Sequence, residues 1–334
     1  MASRKGPGYK APALMKILFV TATRIGDAVL STGLLSHLLE RHPGARITVA
    51  AGPVAAPLFE GVPGLERLIV VDKRKRGLHW WTLYRKVALR RWDLVVDLRG
   101  SGLAYFLWAG RRRVAGRSDP CEHRVRELGR LFDLDPPPSP RLWTLPRHES
   151  AAAALIPTGP PVLAIGPAAN WRAKTWRAER FAELARRLTG PGGPLAGARV
   201  AVMAAAAERE QAAPVLAAIP AERRLDLVGR TDLLTAAAAL RRAALYVGND
   251  TGLTHIAAAM GAPTLALFGP SPAERFAPWG PRAAIVRTPL APAQLMAAPD
   301  FHYLTSDTLM DGLEVEAVES AARALLRRLA GAAA

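Results

Sequence analysis

The most informative stretch of the sequence is a polar cluster, GNDTGLTH, at residues 248–255. The apolar runs LYV before it and PTLALF after it predict buried strands, and the segment between them predicts a helix. Backbone N–H groups at a helix start, with Gly252 allowing close approach, form a phosphate site. Thr251 adds a hydroxyl group, whereas the Asp250 carboxylate would repel phosphate and suits sugar hydroxyls better. His255, one helical turn after Thr251, either contacts the ligand or bonds to a loop carbonyl in the wall of the site.

Two further polar stretches also follow predicted strands. In TATRIGDAVLSTGLL, Asp27 begins a predicted helix, where it serves either as the helix N-cap or as a general base in a cleft. In IGPAANWRAKTW, Lys174 lies in a loop between strand and helix, where its charge either neutralises a phosphate or is solvated. We expect Trp171 and Trp176 to anchor this loop by hydrophobic packing. No GxGxxG fingerprint is present, so the sequence does not predict a dinucleotide site of that type.

Short apolar runs alternate with amphipathic segments twice along the chain, which predicts two doubly wound parallel sheets. The prolines of DLDPPPSPRLWTLP, residues 133–146, interrupt this alternation and predict an extended connection. The expected fold class is α/β, with Rossmann-like domains at residues 1–150 and 151–311. Residues 312–334 follow as a third segment, in which 312–331 predicts an amphipathic helix. The predicted strands are 15–22, 45–52, 65–72, 92–100, 161–168, 198–205, 224–229, 245–249 and 263–269.

The charge of the chain is strongly positive and uneven. The net charge is +17, and residues 1–150 contain 26 Lys or Arg against 13 Asp or Glu. Such an excess favours anionic partners, whether nucleic acid, phospholipid headgroups or a phosphorylated substrate. The alternative is an arginine-rich composition with solvated faces, and the basic clusters at residues 73–76 and 111–113 fit either explanation. The single cysteine, Cys121, excludes an intrachain disulfide framework and a cysteine-rich zinc site.

Taken together, the motifs resemble those of glycosyltransferase family 9, the lipopolysaccharide heptosyltransferases. The DTGLxH element followed by GxPxxxLFGP is far more specific than a single glycine motif. The resemblance implies a GT-B architecture, in which two Rossmann-like domains face each other and the C-terminal helix packs back toward the N-terminal domain. The matching stretches are GD at 26–27, GPAANWRAKTWRAERFAELARRL at 166–188, AERE at 207–210, GRTDL at 229–233 and DTGLTHIAAAMGAPTLALFGP at 250–270.

The resemblance also implies roles for the residues nearest the reaction. Asp27 resembles the general base that deprotonates the acceptor hydroxyl. Lys174 would contact the donor diphosphate, together with the backbone N–H groups of Thr251 and Gly252. Members of the family are metal-independent inverting enzymes, so the resemblance implies no cofactor and no metal ligands. A lysine and a helix N-terminus would then take the place of a divalent cation.

Further roles concern the rest of the donor and the acceptor. Asp250 would hydrogen-bond the transferred sugar, Glu208 would hold the ribose, and the loop 229–231 would border adenine. His255 would complete the pocket. The implied donor-binding residues are Lys174, Glu208, Thr231, Asp250, Thr251, Gly252, Leu253 and His255, and the candidate acceptor-binding residues are Arg24 and Arg99.

Three departures from the family pattern affect the donor and the acceptor rather than the fold. Residues 299–318 read PDFHYLTSDTLMDGLEVEAV, without the cysteine of the cysteine-methionine segment that many members have in this region. Ala168 and Ala169 stand where a small polar residue or glycine is often present in the phosphate-facing turn. Arg230 enters the loop expected to border adenine.

We therefore expect an inverting glycosyltransferase that transfers a heptose-type sugar from ADP-heptose to a lipopolysaccharide core acceptor. Its partners would be a nucleotide-sugar donor and an anionic glycolipid, and a monomer would act in the cytoplasm, peripheral to the inner membrane. No apolar run reaches the roughly 18 residues of a membrane span. One alternative is a family member with another nucleotide sugar or glycan acceptor, and a second is a non-catalytic scaffold. A nucleic-acid-binding protein is a third, but the sequence contains no recognition helix, RNA-binding aromatic motif or zinc module.

Overall fold

The computed structural model describes residues 14–73, 77–297, 301–302 and 305–332 of the chain, and its first sheet contains five parallel strands. Aliphatic runs such as KILFV form these strands because helices and loops cover both faces of the sheet, so almost every side chain in the run is buried. The strands are β1 (Lys16–Val20), β2 (Arg46–Ala51), β3 (Leu65–Val70), β4 (Trp92–Asp97) and β5 (Ala109–Val114), in the spatial order β3-β2-β1-β4-β5.

The sequence pattern did not predict the strand β5, whose residues AGRRRV suggested only a basic cluster. It pairs in parallel with β4 and forms one edge of the first sheet, with Arg111 and Arg113 exposed. Charged side chains on an edge strand prevent pairing with other chains, so a basic sequence is compatible with this position. Residues 74–76 of the other basic cluster lie outside the described residues.

Six parallel strands form the second sheet. The edge strand β11 was also not predicted, whereas the others lie within the predicted runs. The strands are β6 (Val162–Gly166), β7 (Arg199–Val202), β8 (Arg224–Asp226), β9 (Leu245–Asn249), β10 (Thr264–Phe268) and β11 (Ala283–Arg287), in the spatial order β11-β10-β9-β6-β7-β8. Two parallel α/β domains are therefore present, as the sequence predicted.

Helices connect the strands of each sheet, and in the described part of the chain none is long and apolar enough to cross a membrane. In the first sheet the strand order changes direction between β1 and β4, and in the second it changes direction between β6 and β9. Parallel sheets bind ligands at the carboxyl ends of strands at such points. The helices are α1 (Ile25–Arg41), α2 (Leu78–Val87), α3 (Arg124–Arg130), α4 (Pro146–Leu155), α5 (Ala178–Thr189), α6 (Arg209–Ala218), α7 (Leu233–Leu240), α8 (Gly252–Ala259), α9 (Ala273–Phe276), α10 (Pro292–Leu295) and α11 (Val315–Gly331).

The connection between the domains ends in α4, so the expected division at residue 150 falls inside a helix. Pro146 occupies the first turn of α4, where its missing N–H costs nothing. The helix packs against α7 of the C-terminal domain, and Ala152 and Ile156 are buried in the same cluster as residues of α1 and α7.

The last helix, α11, packs differently from the expectation that it returns toward the N-terminal domain. Its packing partners are α5, β10 and β11, all within the C-terminal domain. Val318, Ala322 and Leu325 are buried there in the second hydrophobic core. The buried side chains of the helix therefore cover one edge of the second sheet.

The two domains meet through the first turns of α1 and α8. A Cβ atom added to Gly252 would lie 2.6 Å from Cγ2 and 2.8 Å from Cβ of Ile25. In the reverse direction, a Cβ at Gly26 would lie 2.8 Å from Cδ2 of the His255 ring. Gly26 of α1 therefore faces His255 of α8, and Gly252 of α8 faces Ile25 of α1. Because glycine has no Cβ atom, the first turns of the two helices approach more closely than any larger residue at these positions would allow.

A second contact between the domains involves α3 and the short helix α9. Arg275 Nη2 lies 2.8 Å from Glu127 Oε2, and His123 Nε2 lies 3.0 Å from the carbonyl oxygen of Ala277. His123 Nδ1 accepts the N–H of Val125 at 3.2 Å, so the ring donates through Nε2. Burial lowers the pKa of His123, which agrees with a neutral ring in this position.

We predict that Gly252→Ala destabilises the protein by about 1–3 kcal/mol, because the new methyl group would collide with Ile25 near its backbone. The free energy of urea-induced unfolding measures this change. Gly331→Ala is the matched control, since it adds the same methyl group to a helix where no atom lies within 4 Å. Equal stability of the two variants would contradict the proposed close contact of α1 with α8.

Candidate active site

The polar cluster GNDTGLTH lies where β9 ends and α8 begins, and its Asp250 carboxylate is almost fully buried. Lys174 Nζ lies 2.7 Å from Asp250 Oδ2, and His255 Nε2 lies 3.8 Å from Asp250 Oδ1. The side chain of Asp250 is 8% exposed and that of Lys174 is 21% exposed. Two residues that the sequence assigned to separate tasks, the diphosphate for Lys174 and the sugar for Asp250, therefore form one ion pair.

The charge state of Asp250 follows from these neighbours. Burial alone would raise the pKa of its carboxyl, but His255 and Lys174 outweigh this effect and hold that pKa well below its ordinary value. Asp250 is therefore an anion at neutral pH. A buried anion requires a partner, because an unpaired charge in the protein interior is strongly destabilising.

The loop that carries Lys174 is held by buried polar contacts. Asn249 is fully buried, accepts the N–H of Trp176 at 3.0 Å and donates to the carbonyl of Pro167 at 2.8 Å. The Trp176 ring is also fully buried and donates to the carbonyl of Leu313 at 2.8 Å. Hydrophobic anchoring by Trp176, which the sequence predicted, is confirmed. Asn249 joins the exits of β6 and β9, so it fixes Lys174 relative to Asp250.

The start of α8 offers backbone donors beside this ion pair. Thr251 is the N-cap and has extended dihedral angles, and its side chain makes no capping hydrogen bond. The first N–H groups of a helix have no acceptor within the helix, so those of Gly252 and Leu253 are available to a ligand. All three residues are half-buried, and the positive end of the helix dipole of α8 adds to the attraction of their backbone donors for an anion.

Two other predicted donor residues lie at the neighbouring strand ends. Glu208 ends a short 3₁₀ helix after β7, and its Oε2 accepts the N–H of Ala205 at 2.8 Å. Gly229 follows β8 with a φ of 68°, and a Cβ there would lie 2.8 Å from that of Ala206. The loop 229–231 with Thr231 is thus packed against the turn that carries Glu208. Both lie on the carboxyl edge of the second sheet, as does the ion pair at β9.

The N-terminal domain contributes a cleft of about 470 Å³ at the carboxyl ends of its central strands. Asp27 lines this cleft together with both candidate acceptor residues, Arg24 and Arg99. Arg24, rather than Asp27, is the N-cap of α1, so the explanation of Asp27 as the N-cap is wrong. Asp27 lies in the first turn, half-buried, where the helix dipole still favours its charge.

The cleft leaves the Asp27 carboxylate unpaired. Among the described residues, no side chain or backbone N–H hydrogen-bonds to it. Arg99 donates to Thr23 Oγ1 at 2.8 Å, and Arg24 is exposed. Asp27 is therefore an accessible carboxylate among cations, able to take a proton from a group that enters the cleft.

Sequence reasoning missed three charged residues that also line this cleft. Arg124 and Arg275 both contact Glu127, at 2.5 and 2.8 Å, and Arg275 comes from the C-terminal domain. The segment CEHRVRELGR contains Arg124 and Glu127 three residues apart, which is the spacing of an ion pair on a helix, and this signal was available. Arg275 gave no such signal, because its partners are distant in sequence.

The sequence profile of glycosyltransferase family 9 (heptosyltransferase) matches residues 98–304, which is more than half of the chain. The chain belongs to glycosyltransferase family 9. It is therefore a glycosyltransferase, and the family resemblance stated from its motifs is confirmed. The matched range contains the donor-side residues, whereas Asp27 and Arg24 lie before it.

Related proteins agree with this assignment to family 9. The chain is 26% identical over 313 residues to lipopolysaccharide heptosyltransferase 2 of Salmonella typhimurium, covering 82% of this chain and 88% of the relative. The crystal structure of a family 9 glycosyltransferase from Veillonella parvula superposes with a TM-score of 0.75 at 21% identity, over 95% of this chain and 99% of the other.

The ADP-heptose lipopolysaccharide heptosyltransferase II of Escherichia coli superposes with a TM-score of 0.71 at 24% identity, over 95% of this chain and 100% of the other. At this identity the likeness establishes the fold. The two parallel α/β domains of this family 9 chain have the GT-B architecture, as expected. In the part of the chain that the structure describes, no three His, Cys, Asp or Glu side chains are grouped so that they could hold a metal ion.

We predict that Lys174→Met destabilises the protein by about 2–3 kcal/mol at neutral pH, because the buried Asp250 carboxylate loses its cation. The pair stabilises the fold above the ordinary Asp pKa, and this contribution is lost as pH falls through the lowered pKa of Asp250. The deficit of the variant should therefore shrink on acidification. Urea unfolding at neutral and at acidic pH measures it.

The double variant Lys174→Met/Asp250→Asn is the control for this prediction. It removes the charge that the single variant leaves unpaired, so it should recover most of the lost stability. If the single variant is equally destabilised at both pH values, or if the double variant is no more stable, the buried ion pair is not the cause.

Proposed function

We propose that this protein is an inverting glycosyltransferase that transfers a heptose-type sugar from ADP-heptose to a lipopolysaccharide core acceptor. The observation that carries the proposal is the position of the unpaired Asp27 carboxylate. It lies in the first turn of α1, and that turn packs against the start of α8, where a phosphate site is expected. The names of the relatives, which are lipopolysaccharide heptosyltransferases, support the choice of sugar and acceptor.

On the donor side, the diphosphate would bind the backbone N–H groups at the start of α8. Lys174 has three N–H donors, so it can hold Asp250 and also reach a phosphate oxygen. Asp250 would accept hydrogen bonds from hydroxyls of the transferred sugar. Glu208 would hold the ribose and the loop 229–231 would border the adenine, with His255 in the wall behind the sugar.

The chemical step would be a single displacement at the anomeric carbon. Asp27 would take the proton of the acceptor hydroxyl while that oxygen attacks the carbon from the face opposite the diphosphate. The bond from the anomeric carbon to the phosphate oxygen breaks, its electron pair leaves with ADP, and the anomeric configuration inverts. Lys174 and the amides of α8 would stabilise the charge that develops on the leaving phosphate, so no metal cofactor is required.

On the acceptor side, Arg24 and Arg99 would bind anionic groups of the glycolipid. Both line the cleft beside Asp27, and the Arg99 guanidinium donates to Thr23 Oγ1 through Nη1, so its Nε and Nη2 donors can reach an anionic group. We propose that the protein acts as a monomer at the cytoplasmic face of the inner membrane, peripheral to it, because the acceptor is a membrane glycolipid.

We predict that Asp27→Asn lowers the rate of sugar transfer about 10²–10⁴-fold and leaves ADP affinity unchanged, because it removes a base without altering the donor site. Single-turnover assays and calorimetry measure the two quantities. Glu40→Gln is the matched control, since it neutralises another carboxylate of α1, which accepts a hydrogen bond from the Ser36 hydroxyl at 3.1 Å. Unaltered transfer in the Asp27 variant would remove this residue from the mechanism.

We also predict that ADP-heptose raises the melting temperature of the protein more than UDP-, GDP- or CMP-sugars do at equal concentration. A ligand that binds only the folded state stabilises it by an amount that increases with the logarithm of its concentration divided by its Kd, so at equal concentration the tighter ligand gives the larger shift. A thermal-shift panel with the four nucleotide-sugar classes measures this preference. A larger rise in melting temperature with a UDP-, GDP- or CMP-sugar than with ADP-heptose would refute the proposed donor.

A further inference from the structure

Large hydrophobic side chains are exposed together on one part of the N-terminal domain. Trp81 is 59% exposed, Tyr105 68%, Phe106 75% and Trp108 66%. In the described C-terminal domain, by contrast, Ile285 and Leu290 are the exposed large hydrophobic residues. Exposed aromatic clusters on a soluble domain mark interaction sites, because water solvates them poorly. We call the set Leu78, Trp81, Leu89, Tyr105, Phe106 and Trp108 the aromatic surface.

The segments that carry the aromatic surface cover the same face of the first sheet. Leu83 and Val87 on the inner side of α2 belong to one hydrophobic cluster with Leu103 and Leu107 of the loop after β4. That cluster rests on Val95 of the sheet. Since both segments are held on one face by their inner side chains, their outward side chains lie on the same side of the domain.

The same region is strongly cationic. Residues 77–113 contain eight Lys or Arg against two Asp. Neither aspartate offsets the surface charge: Asp97 is fully buried, and Asp93 accepts the backbone N–H of Lys16 at 2.8 Å. Arg85, Lys86 and Arg91 are exposed among the aromatic side chains, and the Arg91 guanidinium lies 5.6 Å from the centroid of the Trp108 ring.

We propose that the aromatic surface and its neighbouring cations bind the surface of a bilayer that contains anionic phospholipids. Trp and Tyr have an apolar body and a polar edge, which suits them to the boundary between headgroups and acyl chains. Exposed Arg and Lys attract anionic headgroups and can extend their charges to the phosphates from apolar stems. Arg90 is paired with Glu66 at 2.5 Å, but no exposed carboxylate within residues 77–113 compensates the other cations. The exposed charges of Arg85, Lys86 and Arg91 therefore favour this anionic partner.

The surface adjoins the cleft that holds Asp27. Arg99 lines the cleft, and its guanidinium lies 5.4 Å from the ring centroid of Trp80, which belongs to α2. A protein docked through the aromatic surface would thus hold its cleft near the membrane, where a glycolipid acceptor is anchored. This consequence rests on the proposed function, whereas binding to the bilayer does not.

Sedimentation with vesicles tests the surface directly. The full chain should bind vesicles of phosphatidylglycerol and phosphatidylethanolamine and should bind pure phosphatidylcholine vesicles far more weakly. Trp81→Ser/Phe106→Ser should weaken binding about tenfold or more, because it removes two exposed aromatic anchors. Arg85→Gln/Lys86→Gln should weaken it about fivefold for each cation removed. These side chains are exposed, and circular dichroism with thermal melting verifies that the variants fold.

Matched changes in the C-terminal domain serve as controls. Leu290→Ser removes an exposed hydrophobic side chain, and Arg282→Gln/Arg327→Gln removes two exposed cations, so both variants should bind anionic vesicles like the wild type. Equal binding by the aromatic-surface variants and these controls would overturn the proposal. Self-association of the wild type without vesicle binding, measured by sedimentation velocity, would overturn it in favour of a second copy of the chain.

A transfer assay with a deacylated, water-soluble acceptor separates this inference from the proposed function. The Trp81→Ser/Phe106→Ser variant should transfer sugar to the soluble acceptor at the wild-type rate and lose activity only on acceptor embedded in anionic vesicles. If the wild type binds vesicles through this surface but transfers no sugar, the proposed function fails and the membrane surface stands. If soluble transfer is normal and vesicle binding is unaffected by the substitutions, the surface proposal fails alone.

Discussion

The contact between the first turns of α1 and α8 is the constraint on which the site depends. Gly26 and Gly252 each face a side chain of the opposite helix at a distance that no Cβ atom would tolerate. The contact joins the carboxyl edge of one sheet to that of the other, so the Asp27 carboxylate lies in a turn that packs on the start of α8, where we propose that the phosphates bind. Arg275, paired with Glu127, ties the domains together at a second place. Neither domain alone contains both the Asp27 carboxylate and the Lys174–Asp250 ion pair.

The buried charge of Asp250 is the second constraint on the site, because it requires a cation beside it. The Asp250 carboxylate is anionic although it is almost fully buried. Its cation, Lys174, lies in a loop 76 residues earlier in the chain. The pair is stable only if that loop is fixed, and Asn249 and Trp176 fix it through hydrogen bonds between buried groups. Polar residues that are adjacent in the sequence therefore have different roles: Asn249 supports the loop, whereas Asp250 forms the ion pair beside the proposed donor site at the start of α8.

Local pattern was sufficient to predict much of this fold. The aliphatic runs that form β1 and β9 are buried on both faces, so they are recognisable without tertiary information. The strand β5 was not recognisable, because an edge strand need not be apolar and its arginines obscured it. The pairing of Lys174 with Asp250 and the packing of α11 depend on contacts between distant residues. Periodicity carries no information about such contacts.

The most direct test of the account is a crystal structure with ADP and a non-reactive heptose donor analogue bound. We predict that the diphosphate lies against the backbone N–H groups at the start of α8 and against Lys174, with the anomeric carbon facing the cleft of Asp27. A nucleotide bound away from the start of α8, or an anomeric carbon that faces away from Asp27, would contradict the proposed mechanism.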